Sequence, residues 1–257
     1  MPAVGVHNYQ KLIYKYSTNP GSRVGISINI AVQLARIAPL LKDCGNGVML
    51  GRQKMHFGPA RWTPRLLAEL KTLGIDTTRD GLFQPDGFCE TYLNTIGWPK
   101  MKSLDFSAIE GAEYVHDLSE PVGDDLKAKF DLVYDGGTTE HVFDIAQSFR
   151  NVDAILRDGG IFVSSVGTDG WFGHGFYQVG PDIPWRYWVA SLGYKMLGCW
   201  TFSRRGNDTP RVIEDPTNSP RGAEHRYADP QFIFYVVQKQ PRTEKPKPVI
   251  QSHYVNY

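Results

Sequence analysis

The chain has few cysteines and no pair of them at a short spacing. Its 257 residues include only three, Cys44, Cys89 and Cys199, which lie far apart and form no CxxC motif. An odd number at this spacing predicts free thiols in a reducing compartment, so we expect a cytoplasmic protein without disulfides. Three cysteines and scattered histidines also predict that there is no metal site of the structural zinc kind.

Excess charge and long apolar runs are lacking as well. Lys and Arg number 28 against 27 Asp and Glu, a net charge of +1, which predicts no nucleic-acid partner. The most apolar stretch, Val24 to Leu41, is interrupted by Asn29, Gln33 and Arg36 and is too polar to span a membrane. No basic segment followed by an apolar core stands at the N-terminus, so we expect no secretory signal and no membrane partner.

What is present is an alternation of strand and helix patterns. It predicts a mostly parallel sheet covered by helices on both faces, an α/β fold. We expect an N-terminal arm and helix over 1–44, one α/β domain over 45–240 and an extension over 241–257. Helices are predicted at 24–42, 63–73, 88–96, 141–156 and 183–192, and strands at 48–51, 101–106, 112–118, 130–134, 161–166, 194–202 and 231–238. Residues 203–230 form a long polar loop.

Glycine or aspartate stands at the end of four predicted strands. The residues are Gly51, Asp105, Asp117 and Asp135. In an open α/β sheet, ligands bind outside the carboxyl ends of the strands. Each aspartate taken singly is typical of a cap or a turn. The four together favour a site for a nucleotide-like ligand.

The stretch 130–137, Phe-Asp-Leu-Val-Tyr-Asp-Gly-Gly, is followed by a helix and by Leu-Arg-Asp-Gly-Gly-Ile-Phe-Val over 156–163. This block resembles the centre of the class I S-adenosylmethionine-dependent methyltransferases, and the resemblance covers about residues 45–240. It implies a Rossmann-like sheet of seven mostly parallel strands with an antiparallel last strand. It also implies S-adenosylmethionine as the cofactor.

The resemblance implies roles for particular residues at the strand ends. Asp105 would accept the ribose hydroxyls, and Phe106 would lie against the adenine unless it is ordinary core packing. Asp117 and Leu118 would lie near the adenine edge, and Asp135, Gly136 and Gly137 would line the donor beside its methyl group.

The first loop departs from the family pattern. Where the family has GxGxG, residues 50–54 read Leu-Gly-Arg-Gln-Lys and keep one glycine, Gly51. Arg52 and Gln53 are candidates to contact the methionine carboxylate instead, because Arg offers a bidentate fork. The alternative is a surface loop with one turn glycine.

Histidines supply the candidate catalytic groups. His174 lies in the segment 171–178, Trp-Phe-Gly-His-Gly-Phe-Tyr-Gln, which combines apolar rings with an imidazole that could remove a proton from a hydroxyl. His141, just past Asp135, is a second candidate. Its neighbour Glu140 could form an acid/base pair with it, but the favoured interpretation of Glu140 is the first turn of a helix capped by Thr139.

These patterns favour a methyltransferase that acts on an oxygen of a small-molecule acceptor, such as a sugar or natural product. No NPPY-type motif suggests methylation of nucleic-acid amino groups. A nicotinamide-dependent oxidoreductase would need GxGxxG, which residues 47–58 do not supply. A non-catalytic binding or scaffold protein that keeps the fold remains an alternative.

Overall fold

An eight-stranded sheet organises the part of the chain that the computed structural model describes, residues 25–56, 59–204, 209–218 and 227–255. The strands run in the order β3-β2-β1-β4-β5-β8-β6-β7. In chain order they are β1 (Gly47–Leu50), β2 (Met101–Asp105), β3 (Tyr114–Val115), β4 (Phe130–Asp135), β5 (Leu156–Asp169), β6 (Lys195–Ser203), β7 (Arg211–Val212) and β8 (Gln231–Gln238).

Strand direction confirms the Rossmann-like sheet predicted from the sequence. Strands β1 to β5 pair in parallel, whereas β8 lies antiparallel between β5 and β6. The expected count of seven strands was one too low. The additional strand, β7, is a two-residue edge strand within the predicted loop 203–230. The predicted N-terminal arm and parts of that loop lie outside the described residues.

The helices lie on both faces of the sheet, as predicted. They are α1 (Ile28–Ile37), α2 (Pro59–Thr72), α3 (Glu90–Thr95), α4 (Ile145–Ile155) and a π-helix (Ile183–Ser191). Alternate strand residues face opposite sides. On one side Met49 packs with α1 and α2, and on the other Val48 and Leu50 pack with α4 and the π-helix.

Helix starts differ from the sequence predictions. Helix α1 begins after Ser27, whose hydroxyl accepts from the Ile30 N–H at 3.3 Å. Helix α2 begins at Pro59, before the predicted start at Thr63. Helix α4 begins after Asp144, whose carboxylate accepts from the Gln147 N–H at 2.9 Å.

The Arg-Asp-Gly-Gly segment, residues 157–160, falls between the predicted helix 141–156 and the predicted strand 161–166. It instead lies within β5, which begins at Leu156 directly after α4. The register of β4 against β5 shifts between Phe130 and Leu132, and this shift accommodates the segment.

The cysteines and the lengths of the helices bear on two further sequence predictions. Cys44, Cys89 and Cys199 are all free thiols, as predicted. Among the described helices, none is both long and apolar enough to cross a membrane.

Candidate functional site

The strand order reverses beside β1, and this opens a crevice at the carboxyl edge of the sheet. From β1 the chain proceeds outward to β2 and β3, then returns to β4 on the other side of β1. Leu50 is in register with both Leu104 and Asp135. Gly51, Asp105 and Gly136 therefore follow at about the same level, where ligands bind in folds of this kind.

Gly51 ends β1 in a conformation that other residues rarely adopt. Its φ is +65°, and a Cβ there would lie 2.8 Å from Oγ1 of Thr138 and 3.8 Å from Oδ2 of Asp105. The Thr138 hydroxyl donates to the Leu50 carbonyl at 2.6 Å, so it is not free to move aside. Glycine thus lets the loops after β1 and β4 approach closely.

Asp105 ends β2 beside this glycine and is only half-buried. Oδ2 accepts from the Arg52 N–H at 3.4 Å. Burial raises the pKa of the Asp105 carboxyl, and the backbone N–H groups of residues 52, 106 and 107 oppose that rise. The next ring, Phe106, is 57% exposed, so the interpretation of this residue as core packing is wrong.

Asp135 ends β4 and is fully buried. It accepts from the N–H groups of Gly137, Thr138 and Thr139 at 3.2, 2.8 and 3.4 Å. It also accepts from the Thr139 hydroxyl at 2.5 Å and the Ser164 hydroxyl at 3.5 Å. Burial raises its pKa, and the donors oppose that rise. Its contacts fix the Gly136–Gly137 turn, and its predicted place beside the donor methyl group stays a prediction.

Arg52 has partners other than the one predicted for it. Its guanidinium donates to Glu90 at 2.6 Å, to Asp86 at 3.1 Å and to the Glu110 carbonyl at 2.8 Å, and it lies over the Phe88 ring. A guanidinium held in this way braces the loops around β1. The predicted contact with a methionine carboxylate is therefore not favoured.

Gln53 is likewise engaged inside the protein. Its side chain is buried and donates to the Leu50 carbonyl at 3.1 Å. A Cβ on Gly136 would lie 2.8 Å from its carboxamide. Gln53 therefore packs against the turn after β4 at Gly136.

Asp117 and Leu118 follow β3 and have local roles. The Asp117 carboxylate accepts from the N–H and hydroxyl of Ser119 at 2.9 and 2.6 Å, which is the turn-forming alternative noted for it. Leu118 is buried in the core on the α4 face. Their predicted place near an adenine stays a prediction.

The two candidate histidines meet at the carboxyl ends of β4 and β5. The ring centroids of His141 and His174 are 4.9 Å apart with an interplanar angle of 66°, and the ring of Trp171 lies 4.9 Å from that of His174. The Phe176 N–H donates to the Glu140 carbonyl at 2.9 Å and so docks the loop after β5 onto the turn after β4.

Burial shifts the pKa values of the two histidines and of Glu140 beside them. It lowers the pKa of His141, and it lowers that of His174 to about 4, with His141 and Arg204 adding to the effect. Burial also raises the pKa of Glu140 to about 8, and the nearby Asp135 charge contributes.

The sequence pattern favoured a structural role for Glu140 over an acid/base role. This residue was assigned to a helix start capped by Thr139, but residues 139–141 form a separate 3-10 turn, and the Thr139 hydroxyl donates to Asp135. Glu140 is 2% exposed, and its Oε2 has no hydrogen-bond partner within the described ranges. Its place between a buried strand end and a histidine was the available signal.

No model of a protein family matches this chain, and no curated protein matches it. Among solved structures it is similar to the 1,6-didemethyltoxoflavin-N1-methyltransferase of Burkholderia thailandensis with bound 1,6-didemethyltoxoflavin and S-adenosylhomocysteine. The identity is 14% over 94% of this chain and 93% of that one, with a TM-score of 0.46.

It is also similar to an S-adenosylmethionine-dependent methyltransferase from Archaeoglobus fulgidus. That identity is 11% over 90% of this chain and 99% of the other, with a TM-score of 0.43. At such values neither likeness decides an activity. The fold rests on the strand order and directions of this chain itself.

Proposed function

We propose that the chain binds S-adenosylmethionine at the carboxyl edge of β1 and β2 and transfers its methyl group to an oxygen of a small polar acceptor. The observation that carries this proposal is the pairing of Gly51 with Asp105. A glycine at φ +65° allows close backbone approach, and a half-buried carboxylate stands 3.8 Å from where its Cβ would be. An ionised carboxylate has about four acceptor sites, more than three backbone N–H groups use.

The residues at this edge fit the donor. Asp105 accepts from both ribose hydroxyls, and the exposed ring of Phe106 lies against the adenine. Gly51, Gly136 and Gly137 offer backbone without side chains along the rest of the molecule. A donor without phosphate needs no phosphate-binding loop, so the single glycine after β1 is compatible with this assignment.

S-adenosylmethionine supplies, when bound, a sulfonium methyl group that an acceptor oxygen can take while the electrons of the broken carbon–sulfur bond stay on sulfur. His141 and His174 lie beside this edge, and one of them receives the proton that the hydroxyl loses. The exposed rings of Phe143, Phe172 and Phe176 provide apolar walls of the kind that small-molecule sites have. A sugar or natural product with several hydroxyls suits such a site.

Calorimetric titration with S-adenosylhomocysteine tests donor binding. Asp105→Ala should weaken the affinity about tenfold to a hundredfold, because a hydrogen bond to a charged group contributes about 1.5–3 kcal/mol. Asp105→Asn should lose less, since the amide keeps one acceptor. The control is Asp124→Ala, an exposed aspartate paired with Lys127, which should bind as wild type does. Unchanged affinity in Asp105→Ala would remove its assigned role.

Turnover tests the histidines. His141→Ala or His174→Ala should reduce turnover about a hundredfold or more if that residue accepts the proton, with donor affinity nearly unchanged. Full activity in both variants would leave orientation and proximity as the mechanism.

A second candidate is a binding or scaffold protein that keeps the fold. One observation favours it: Arg52 and Gln53, in the loop that should contact the donor, are bonded within the protein. Failure of the wild-type protein to bind S-adenosylhomocysteine, or binding without turnover on any acceptor, would support it.

A further inference from the structure

Three side chains with metal-ligating atoms converge beside the proposed acceptor site. Glu140, His141 and His174 each offer one such atom, and these atoms all lie within 4.8 Å of one another. Two come from the turn after β4, and the third comes from the loop after β5. The two histidines stand 33 positions apart in the chain, so the folding of the sheet brings them together.

Glu140 points to a missing partner. It is 2% exposed, yet its Oε2 has no hydrogen-bond partner among the residues that the structure describes. Burying a carboxyl oxygen without a hydrogen-bond partner is unfavourable, because it loses its contacts with water and gains none in the protein. A bound cation would satisfy this oxygen and would favour the ionised form of the carboxyl.

Contacts within the protein hold the backbone of these three residues in place. The Phe176 N–H donates to the Glu140 carbonyl, and a Cβ on Gly175 would lie 2.8 Å from that same oxygen, so only glycine allows this approach. The indole of Trp171 donates to the Gln231 carbonyl at 2.6 Å, and the His174 N–H donates to the Trp171 carbonyl at 3.0 Å. The loop that carries His174 is thus fixed at both the turn and β8.

We propose that Glu140, His141 and His174 bind one divalent first-row transition ion. Two imidazoles and one carboxylate suit zinc, iron, cobalt or manganese, and three protein ligands leave positions open for an exogenous oxygen. Metal–ligand bonds of about 2.0–2.2 Å require the three ligand atoms to lie closer to one another than the 4.8 Å seen here. The two histidines are not fully buried, so their side chains have room to rotate and bring their ring nitrogens closer to the Glu140 carboxyl.

This site goes beyond the proposed function, because binding of an ion requires neither donor nor acceptor. A role for the ion in transfer does rest on that function. A ring nitrogen that binds the ion cannot also receive a proton, so in the ion-bound protein the cation takes the place of the histidine base. The cation would lower the pKa of an acceptor hydroxyl that coordinates it, and the proton would pass to solvent. That would favour acceptors with two neighbouring oxygens.

Metal titration of the full-length protein, chelator-treated and without a polyhistidine tag, tests the site. We expect wild type to bind one equivalent of Zn²⁺ by calorimetry. We also expect one equivalent of Co²⁺ by its visible absorption, which reports coordination. Glu140→Gln and His174→Ala should weaken both ions about a hundredfold or more, since loss of a mere outer partner already costs about 10–100-fold. The control is His116→Ala, a histidine near the end of β3 that bonds the Glu120 carbonyl.

Thermal unfolding gives a second readout, because an ion that binds only the folded state raises Tm. Zn²⁺ should raise the Tm of wild type and His116→Ala but not that of Glu140→Gln. Wild type without a stoichiometric ion, or equal binding in all variants, would overturn the proposal. Binding of S-adenosylhomocysteine, measured on the same chelated samples, reports separately on the proposed function.

Discussion

Two aspartates end neighbouring parts of the same sheet edge, yet their surroundings differ. Asp105, after β2, is half-buried beside the open crevice and accepts only from backbone N–H groups, the bond from Arg52 being long at 3.4 Å. Asp135, after the central strand β4, is fully buried and accepts from five donors. The same residue at the same strand position thus lies beside the open crevice in one place and builds the loop in the other. Depth in the sheet decides between the two.

Removing the buried carboxylate gives the largest expected effect on this comparison. Asp135→Ala leaves buried N–H and hydroxyl groups without an acceptor, so it should lower the free energy of unfolding by about 3 kcal/mol or more. In a chain of this size that lowers Tm by roughly 6–12 °C in a thermal scan. Asp135→Asn should lose less.

The matched variant is Asp105→Ala, which should change the free energy of unfolding by about 0.5 kcal/mol or less, as for other surface sites. Equal destabilisation by the two variants would break the distinction between a ligand-facing and a loop-building aspartate.

Gly51→Ala tests whether the closeness of β1 to the loop after β4 matters. The left-handed backbone alone costs about 1–2 kcal/mol for a residue with a Cβ. The contact with Thr138 adds to that, and the affinity for S-adenosylhomocysteine should fall as well. Gly74→Ala is the control, because its φ is +77° but nothing lies within 4 Å of its Cβ. Equal losses of stability in both urea titrations would show that the contact contributes nothing.

Arg52→Lys should have the smallest effect and tests the brace against the predicted ligand contact. Lysine keeps the charge but not the fork to Glu90 and Asp86, and partly exposed ion pairs contribute about 1 kcal/mol or less. We expect slightly lower stability and donor affinity within about twofold of wild type, since less than 0.5 kcal/mol is at stake. A tenfold loss of affinity at unchanged stability would restore the role predicted from the sequence.

Much of the fold could be predicted from local patterns. The apolar run of β4 and the final strand at Gln231–Gln238 lie in the sheet, as predicted, because runs and periods of apolar residues report burial directly. Helix starts were less predictable. Thr139 and Thr63 both resemble caps in sequence, but tertiary contacts and the preceding chain decided where α4 and α2 begin.

The candidate site could be predicted only in part. The strand-end residues were found because parallel strands end at one edge, and Gly51 and Asp105 do meet there. The partners of Arg52 could not be found, because Asp86 and Glu110 come from loops and Glu90 from the start of α3, and the placement of all three depends on the whole sheet. The exposure of Phe106 could not be predicted either, because it too depends on how the loops are placed around the sheet.

The sequence by itself determined the order of strands and helices, the free thiols and the aspartates that end the strands. These follow from the periodicity of apolar residues and from residue types at fixed places along the chain. Only the tertiary structure decided which of those aspartates is buried and that Glu140 meets His141 and His174. Burial and contacts between residues distant in the chain depend on strand order and register, and no local pattern encodes them.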